Sequence, residues 1–369
     1  MKDVVYFQEG PGLRNWQYGK TGIPFLNIRT IQESGRIDKS LCQFVKESEF
    51  RDRYEHFLLE AGDYVVSSSG TLGKLAEVHE EDLPIMLNTS VIRFRSLDVS
   101  KLDRVFLKWF IKSPLYIRQI QQVSTGTAIK NYGPSHLKKM IIPLPPIEEQ
   151  KRIAEILDKA DAVRRKRQEA IRLTEELLRS TFLEMFGDLF LFRNKNLPNP
   201  KKFKLCKLGE EITLQRGFDI NKKQCQEGRY PVISSGGISV YHSEFKAHGP
   251  GVLLGRKGSV GKIHYIESDY WPHDTTLWVR EFNNNNPLFV YFFFKNFPIS
   301  DFEASTANPT LNRNRLHPLS VLWPDRELQL QFAMKAKKIF KTQNVLTSHL
   351  QESENLFNSL LQRAFRGEL

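Results

Sequence analysis

Apolar side chains recur along this chain with two different periods, and each period predicts an element. From residue 332 onward, Phe332, Ala336, Ile339, Gln343, Leu346, Leu350, Ser353, Phe357, Leu360 and Ala364 follow alternating steps of four and three. A heptad held for roughly five repeats predicts a long helix with a narrow seam for a partner helix. In an earlier stretch Leu157, Ala160, Ile171, Thr174, Leu178 and Met185 hold similar spacing, and Ile156, Val163, Ala170, Leu177 and Phe182 widen the stripe. Prolines precede both stretches, and Gly187 and Gly367 are suitable stops. At about 1.5 Å per residue, some thirty-five residues make a rod on the order of 50 Å. A narrow apolar stripe does not stay in water alone, so each helix needs a partner. The nearest is the other helix, paired antiparallel; the alternative is that each packs on its own module. The period-two runs Tyr64-Val65-Val66 and Leu75-Ala76-Glu77-Val78 flank a glycine turn and predict a β-hairpin, and Val91–Arg95 and Leu277–Arg280 predict further strands.

The pattern is also repeated. Gly62–Lys74 lines up with Pro250–Lys262, Phe106–Ser113 with Phe289–Asn296, Ser124–Thr127 with Ser305–Asn308, and Pro145–Gln150 with Pro324–Gln329. Four matches in one order, roughly 180–190 residues apart, predict an internal duplication. The expected fold is α+β: two α/β modules, each followed by a long helix, the helices pairing as an antiparallel coiled coil with pseudo-twofold symmetry. The boundaries are a first module at 1–145, a helix at 146–187, a polar, proline-containing linker at 188–202, a second module at 203–323 and a second helix at 324–369. Met1–Asn15 does not align with Phe203–Phe218.

Composition narrows the function classes. The 369 residues are 40% hydrophobic and 26% charged, as in ordinary globular proteins, and 26 Phe allow sizeable cores. No run approaches a membrane span; Phe289–Phe294 is far too short. The N-terminus has no signal-peptide pattern, so a cytoplasmic location is expected. Cys42, Cys206 and Cys225 form no Cys-x-x-Cys pair, which leaves buried or surface thiols. The net charge of +12 favours a polyanionic partner, although charge alone does not single out nucleic acid.

Several segments carry candidate chemistry. Gly70-Thr71-Leu72-Gly73-Lys74 and Gly258-Ser259-Val260-Gly261-Lys262 resemble phosphate loops, but Ser68 and Arg256 stand at the first-glycine positions and Leu75 and Ile263 follow the lysines. A hairpin tip is expected instead, either a tight turn only or one whose Ser68, Ser69, Thr71, Lys74, Arg256, Lys257, Ser259 and Lys262 touch DNA. Asn88-Thr89-Ser90 and His273-Asp274-Thr275 precede strands and carry groups able to read base edges. His273 beside Asp274 could instead be a catalytic pair, but no activated Ser or Cys is evident. Two polar loops follow, with Thr127, Lys130, Asn131 and Tyr132 in one and Asn308, Asn312, Arg313 and Arg315 in the other; they suit phosphate positioning and base reading, or are simply solvated. Arg14, Asn15 and Ser235 join the candidate DNA contacts. The cluster Arg164–Arg167 reads as a solvated face or a phosphate or protein contact. Pro324-Asp325 opens a helix rather than a nuclease motif, and neither a methyltransferase motif nor a metal site occurs in the sequence, so no catalytic residue is expected.

The order Gly-Thr-x-Gly-Lys, then Phe106–Ser113, then Pro143-Leu144-Pro145-Pro146-Ile147-Glu148-Glu149-Gln150-Lys151-Arg152-Ile153-Ala154-Glu155-Ile156-Leu157-Asp158-Lys159 resembles the specificity subunit of type I restriction-modification systems, in both halves and over essentially the whole chain. The second copy departs from the motif with Asp325 in place of a proline. The resemblance implies two target-recognition domains reading a bipartite, asymmetric double-stranded DNA site, with paired helices fixing the gap between half-sites. It implies methyltransferase subunits, two of them, and motor-nuclease restriction subunits as partners. S-adenosylmethionine, ATP and magnesium then belong to those partners and no cofactor to this chain. Alternatives are a coiled-coil scaffold binding proteins only, or a stand-alone DNA-modifying enzyme.

Overall fold

The computed structural model describes residues 1–51, 53–70, 73–123, 132–194, 196–221, 223–302 and 310–369. Contacts divide the chain into two compact units, and the division does not follow chain order. One unit holds Met1–Lys166 together with His349–Leu369; the other holds Arg167–Ser348.

In the first unit the strands are β1 (Val5–Glu9), β2 (Tyr18–Gly19), β3 (Ile23–Phe25), β4 (Gln43–Val45), β5 (Tyr64–Ser67), β6 (Leu75–Glu77) and β7 (Val91–Ser96). The helices are α1 (Glu47–Phe50), α2 (Arg104–Lys112), α3 (Pro114–Val123), α4 (Pro134–Leu137) and the start of α5 (Ile147–Phe186). The main sheet has the order β1-β7-β5-β6, all antiparallel, and β2-β4-β3 form a smaller sheet. Alternation along the strands serves two cores, because successive side chains point to opposite faces. Tyr64, Val66, Ile92 and Phe94 face α2 and α3, whereas Val65, Ala76 and Val91 pack with Leu26, Ile31 and Leu59 on the other face.

The second unit repeats this plan. Its strands are β8 (Lys204–Lys207), β9 (Thr213–Arg216), β10 (Tyr230–Ser234), β11 (Gly237–His242), β12 (Gly251–Gly255), β13 (Ile263–Ile266), β14 (Trp271–Pro272), β15 (Thr276–Glu281) and β16 (Ser320–Trp323). Its helices are the second half of α5, α6 (Leu208–Glu211), α7 (Pro287–Asn296), α8 (Arg313–Leu316) and most of α9 (Arg326–Ala364). The main sheet order β9-β15-β12-β13 is that of the first unit, strand for strand. Its helix-facing side is lined by Leu214, Val252, Leu254, Leu277 and Val279, packed with the phenylalanines of α7.

The structure supplies the alignment that the N-terminal sequence withholds. Leu208 N–H donates to the Leu319 carbonyl (3.0 Å), and the Met1 amino group donates to the Met140 carbonyl (2.8 Å). Four residues on, Ile212 N–H donates to Leu208 and Val5 N–H to Met1, 3.1 Å each. Met1 therefore stands where Leu208 stands, and β1 is the counterpart of β9. Few side chains are shared between the two strands, so the match rests on backbone register, with a glycine after each strand, Gly10 and Gly217, as its one trace in the sequence.

Both long helices form, and within each unit they pair antiparallel, the start of one against the end of the other. In the first unit Ile153, Leu157 and Ala160 pack with Phe357, Leu360, Leu361 and Ala364. In the second, Leu178, Phe182 and Phe186 pack with Phe332, Ala336 and Ile339. The pairs also close on the modules: Phe357 meets Trp109 edge-on at 5.4 Å, and Phe182 stacks on Phe289 at 5.9 Å. Seam pairing and packing on a module, posed as alternatives from sequence, occur together. Ile171, Thr174, Leu346 and Leu350 lie on the expected stripe but are only half-buried. Val163 and Leu177 are a correction: both are exposed, because the buried line runs through Ala160, Ile171, Thr174 and Leu178, and they fall beside it.

The Arg164–Arg167 segment is not simply a solvated face. Arg164 and Arg165 both hold the buried Asp161 carboxylate (2.5 and 2.6 Å), Arg165 also reaches the Ser34 carbonyl, and Arg164 lies over the Phe357 ring at 5.0 Å. Burial raises the Asp161 pKa, but the two guanidinium groups outweigh it and hold the carboxyl below its ordinary value.

The repeated glutamine of the two helix openings has a specific task. Gln150 is buried; its Oε1 accepts from Asp103 N–H and its Nε2 donates to the Lys101 and Pro145 carbonyls, 2.9 Å each. Gln329 does the same, accepting from Asn286 N–H and donating to Asn285 Oδ1 and the Pro324 carbonyl. Asp103 and Asn286 are in turn the N-caps of α2 and α7. Each latch fixes a long helix to the start of the module helix beneath it.

Candidate nucleic-acid interface

At one end of each main sheet four segments converge: the end of β1 or β9, a hairpin tip, the turn before β7 or β15, and the loop entering α4 or α8. The hairpins close alike. Ser67 N–H donates to Lys74 (2.9 Å) and Gly255 N–H to Lys262 (2.7 Å). Gly70, Gly73, Gly258 and Gly261 take φ of 63°, 79°, 77° and 77°, the left-handed region that glycine adopts without strain. A strand follows each tip, not a helix, so the anion-binding helix N-terminus of a phosphate loop is missing.

Backbone bonds tie the segments together. Ser68 N–H donates to Ser90 (2.9 Å) and Tyr132 N–H to Ser68 (3.2 Å). In the second unit Arg256 N–H donates to Thr275 (2.8 Å) and Leu311 N–H to Arg256 (3.0 Å). Ser68 thus matches Arg256, Ser90 matches Thr275 and Tyr132 matches Leu311. One scaffold carries different side chains.

The second unit's side chains form a dense polar network. Arg216 binds the Asp274 carboxylate at 2.8 Å, and Arg256 donates to the Asp274 carbonyl at 3.2 Å. Burial and the neighbouring Arg216 charge lower the Arg256 pKa, against the pull of Asp274. His273 Nε2 lies 3.1 Å from the Ile220 carbonyl, and its Nδ1 lies 2.9 Å from the Thr275 hydroxyl and 3.1 Å from Asp274 Oδ1. Ser235 N–H donates to that same hydroxyl oxygen, and Lys262 Nζ reaches the Gly236 carbonyl at 2.7 Å. Asp219, His273 and Asp274 bring ligand-type atoms within 4.8 Å of one another. Both ring nitrogens of His273 and both carboxylate oxygens of Asp274 already have partners in the network, so the group reads as positioning chemistry, not as a metal centre or a catalytic pair. In the first unit Asn88 Oδ1 accepts from Thr89 Oγ1 (3.1 Å) and Ser90 N–H (3.2 Å), a local turn bond.

The sequence candidates separate into three groups. Arg14, Asn15, Thr89, Lys257, Ser259, Lys262, Asn312, Arg313 and Arg315 are exposed, and Ser69, Lys74, Asn88, Arg256, His273, Asp274 and Thr275 are half-buried at the surface. Lys74 is near Glu33, 3.7 Å away, and Arg315 donates to the Phe302 carbonyl. Ser68, Tyr132 and Ser235 are corrections: they are buried. The Tyr132 hydroxyl is bonded to the Ser67 carbonyl and Tyr116, the Ser68 hydroxyl to Thr89, and the Ser235 carbonyl accepts from His264, so they brace the surface from beneath. Thr71, Thr127, Lys130, Asn131 and Asn308 lie outside the described residues.

Sequence reasoning missed Glu9 and Arg216, which end β1 and β9 and meet the converging segments. The pairing register identifies them: Glu9 lies opposite Ile92, and Arg216 opposite Leu277. The Gly that follows each, Gly10 and Gly217, was the available signal.

Comparison with known proteins agrees with this geometry. A family model described as "Type I restriction modification DNA specificity domain" matches residues 2–174 and 200–354. The chain is 21% identical over 393 residues to the EcoKI specificity subunit of Escherichia coli, covering 94% of this chain and 82% of that one. It is 23% identical over 420 residues to the Escherichia coli EcoBI specificity subunit, covering 100% and 85%. It is 26% identical over 190 residues to the MjaVIII specificity subunit of Methanocaldococcus jannaschii, where the match covers 50% of this chain and 44% of the relative. The fold is similar to that of a crystal structure of a type I restriction-modification S subunit from M. genitalium, with a TM-score of 0.60 at 17% identity over 98% of this chain and 94% of that one. With both halves matched by the same domain, the chain belongs to the type I restriction-modification DNA-specificity family.

Proposed function

We propose that this chain is the recognition subunit of a type I restriction-modification complex, that each module reads one half of a bipartite, asymmetric double-stranded DNA site, and that it contributes no catalytic residue. The observation that carries this reading is the repeated scaffold with unlike tips. Two sheets of identical strand order present Asn88 and Thr89 in one unit and Arg256, His273 and Asp274 in the other. Exposed cations such as Lys257, Arg313 and Arg14 suit phosphate contacts, which set position, and the polar groups between them suit base edges, which set sequence. The net charge of +12 adds long-range attraction to DNA.

Methylation and cleavage then fall to partners: two methyltransferase subunits using S-adenosylmethionine, and restriction subunits using ATP and magnesium. The bases to be modified would be flipped into the partners' pockets. No described helix is long and apolar enough to cross a membrane, in keeping with work on DNA in the cytoplasm. The test is methylome sequencing of a host carrying the whole system. A two-part methylated motif is expected, and exchanging residues 203–323 for those of a relative should replace one half of it and leave the other. A purified chain that cuts or methylates DNA by itself would refute the reading.

A further inference from the structure

The two units differ in the sign of charge at one matched position. Glu9 and Arg216 occupy the same place in the sheet. Glu9 pairs with Ile92, which pairs with Val66; Arg216 pairs with Leu277, which pairs with Leu254. Both sit where a strand enters the converging segments, and both are held rigidly there. A Cβ on the next residue, Gly10, would stand 2.3 Å from the Asn88 backbone nitrogen, and one on Gly217 would stand 2.2 Å from the His273 carbonyl oxygen. Each strand end is therefore pressed against the turn that carries Asn88–Ser90 or His273–Thr275. Rigid placement of this kind is what a reading side chain needs.

Their surroundings differ as their charges do. Glu9 is partly buried, and burial alone raises its pKa. Among the described residues its carboxylate accepts no hydrogen bond and forms no ion pair. A carboxylate on a DNA-binding face is repelled by phosphate, so it is favourable there only where it meets a donor. In the major groove the exocyclic amino group of cytosine is such a donor. Arg216 is half-exposed, and Asp274 fixes one edge of its guanidinium at 2.8 Å. That single bond restrains the guanidinium, and among the described residues its other donors take no partner, which leaves them for the paired acceptors of guanine.

We propose that Glu9 and Arg216 are specificity-determining residues, one for each half-site: Glu9 accepts from a cytosine N4 amino group in one, and Arg216 donates to guanine O6 and N7 in the other. The inference rests on the reading of this chain as a two-part DNA recogniser. Asp274 is then a positioning residue for Arg216, which accounts for an acidic side chain at the tip of a basic protein.

The experiment uses the full chain with its partner subunits in a host lacking the system, with the methylated motif read by single-molecule sequencing. Glu9→Gln should admit a second base at one position of one half-site, and Arg216→Gln should do so in the other half-site only. In the purified complex, discrimination at that position, measured by competition between duplexes, should fall about tenfold or more. Arg216→Lys and Glu9→Asp retain charge and serve if the Gln variants fail to assemble; each should relax the same position. The inference is overturned by an unchanged motif in the assembled variants, by uniformly weaker methylation with the motif intact (a phosphate contact), or by both substitutions altering one half-site. A wild-type chain with no two-part motif would overturn the parent reading, and the inference with it.

Discussion

Replacing Gln150 by Leu tests whether the buried glutamine latches the first long helix to its module. Leucine is close in volume, so the substitution leaves no large cavity and the change is mainly polar. Three hydrogen bonds of 2.9 Å disappear, leaving Asp103 N–H and the Lys101 and Pro145 carbonyls without this partner. At ~1 kcal/mol net for each bond, the loss is ~3 kcal/mol, or roughly a hundredfold in the opening equilibrium of the unit. The suitable assay is native-state hydrogen exchange, because the chain has two units and one global melting temperature would blur them. Amides of α2 should exchange roughly a hundredfold faster, and those of α7 should be unchanged. Gln329→Leu should give the converse, sparing α2 and loosening α7. Acceleration below about tenfold in both, or equal acceleration in both units from either substitution, would refute the latch.

Other consequences can be tested in the same way. Phe357→Ala should destabilise the first unit by ~3–5 kcal/mol, the usual cost of truncating a core Phe, with protection of α2 as the readout; no change would argue against packing of the second helix on the first module. His317 Nε2 accepts from Leu214 N–H at 3.0 Å, which requires the neutral ring. Burial, and then the Arg313 charge, lower its pKa, so this stabilisation is present above the ordinary histidine pKa near 6.5 and is lost as pH falls through the depressed value. Protection around β9 should accordingly weaken on acidification, and His317→Gln should flatten that dependence. Gly217→Ala should displace the end of β9 from the His273 turn and lower affinity for one half-site, leaving the other half of the methylated motif intact.

Long-period patterns were readable because helices write them plainly. All ten heptad positions chosen from Phe332 to Ala364 lie at least half-buried. The first helix was read less well, since Val163 and Leu177 are apolar yet exposed; leucine and valine suit a helix surface as well as a seam. The duplication was visible wherever glycines and phenylalanines recur, but not in β1 and β9, which share register rather than residue types. The tips were hardest to read. Ser68, Tyr132 and Ser235 are polar and sit in the right segments, but hydroxyl groups serve equally well as buried braces and as readers, and sequence does not separate the two. Glu9 lies in the N-terminal stretch whose residues do not align with the second module, so its match to Arg216 shows only in the strand pairing.

The sharing of helices between units also bears on the order in which the protein is made. Trp109 and Phe106 line a core that Phe357 and Phe365 close, at 5.4 and 5.0 Å. Some 250 residues separate Trp109 from Phe357, so at about 5–20 residues per second a ribosome takes roughly 12–50 s to supply the closing side chains. During that interval the aromatic face of α2 is open, and the second unit, a single continuous stretch from Arg167 to Ser348, can fold before the first is finished. The nascent chain therefore carries an aggregation-prone aromatic surface for most of its synthesis, and chaperone occupancy should be concentrated on the first module rather than on the second.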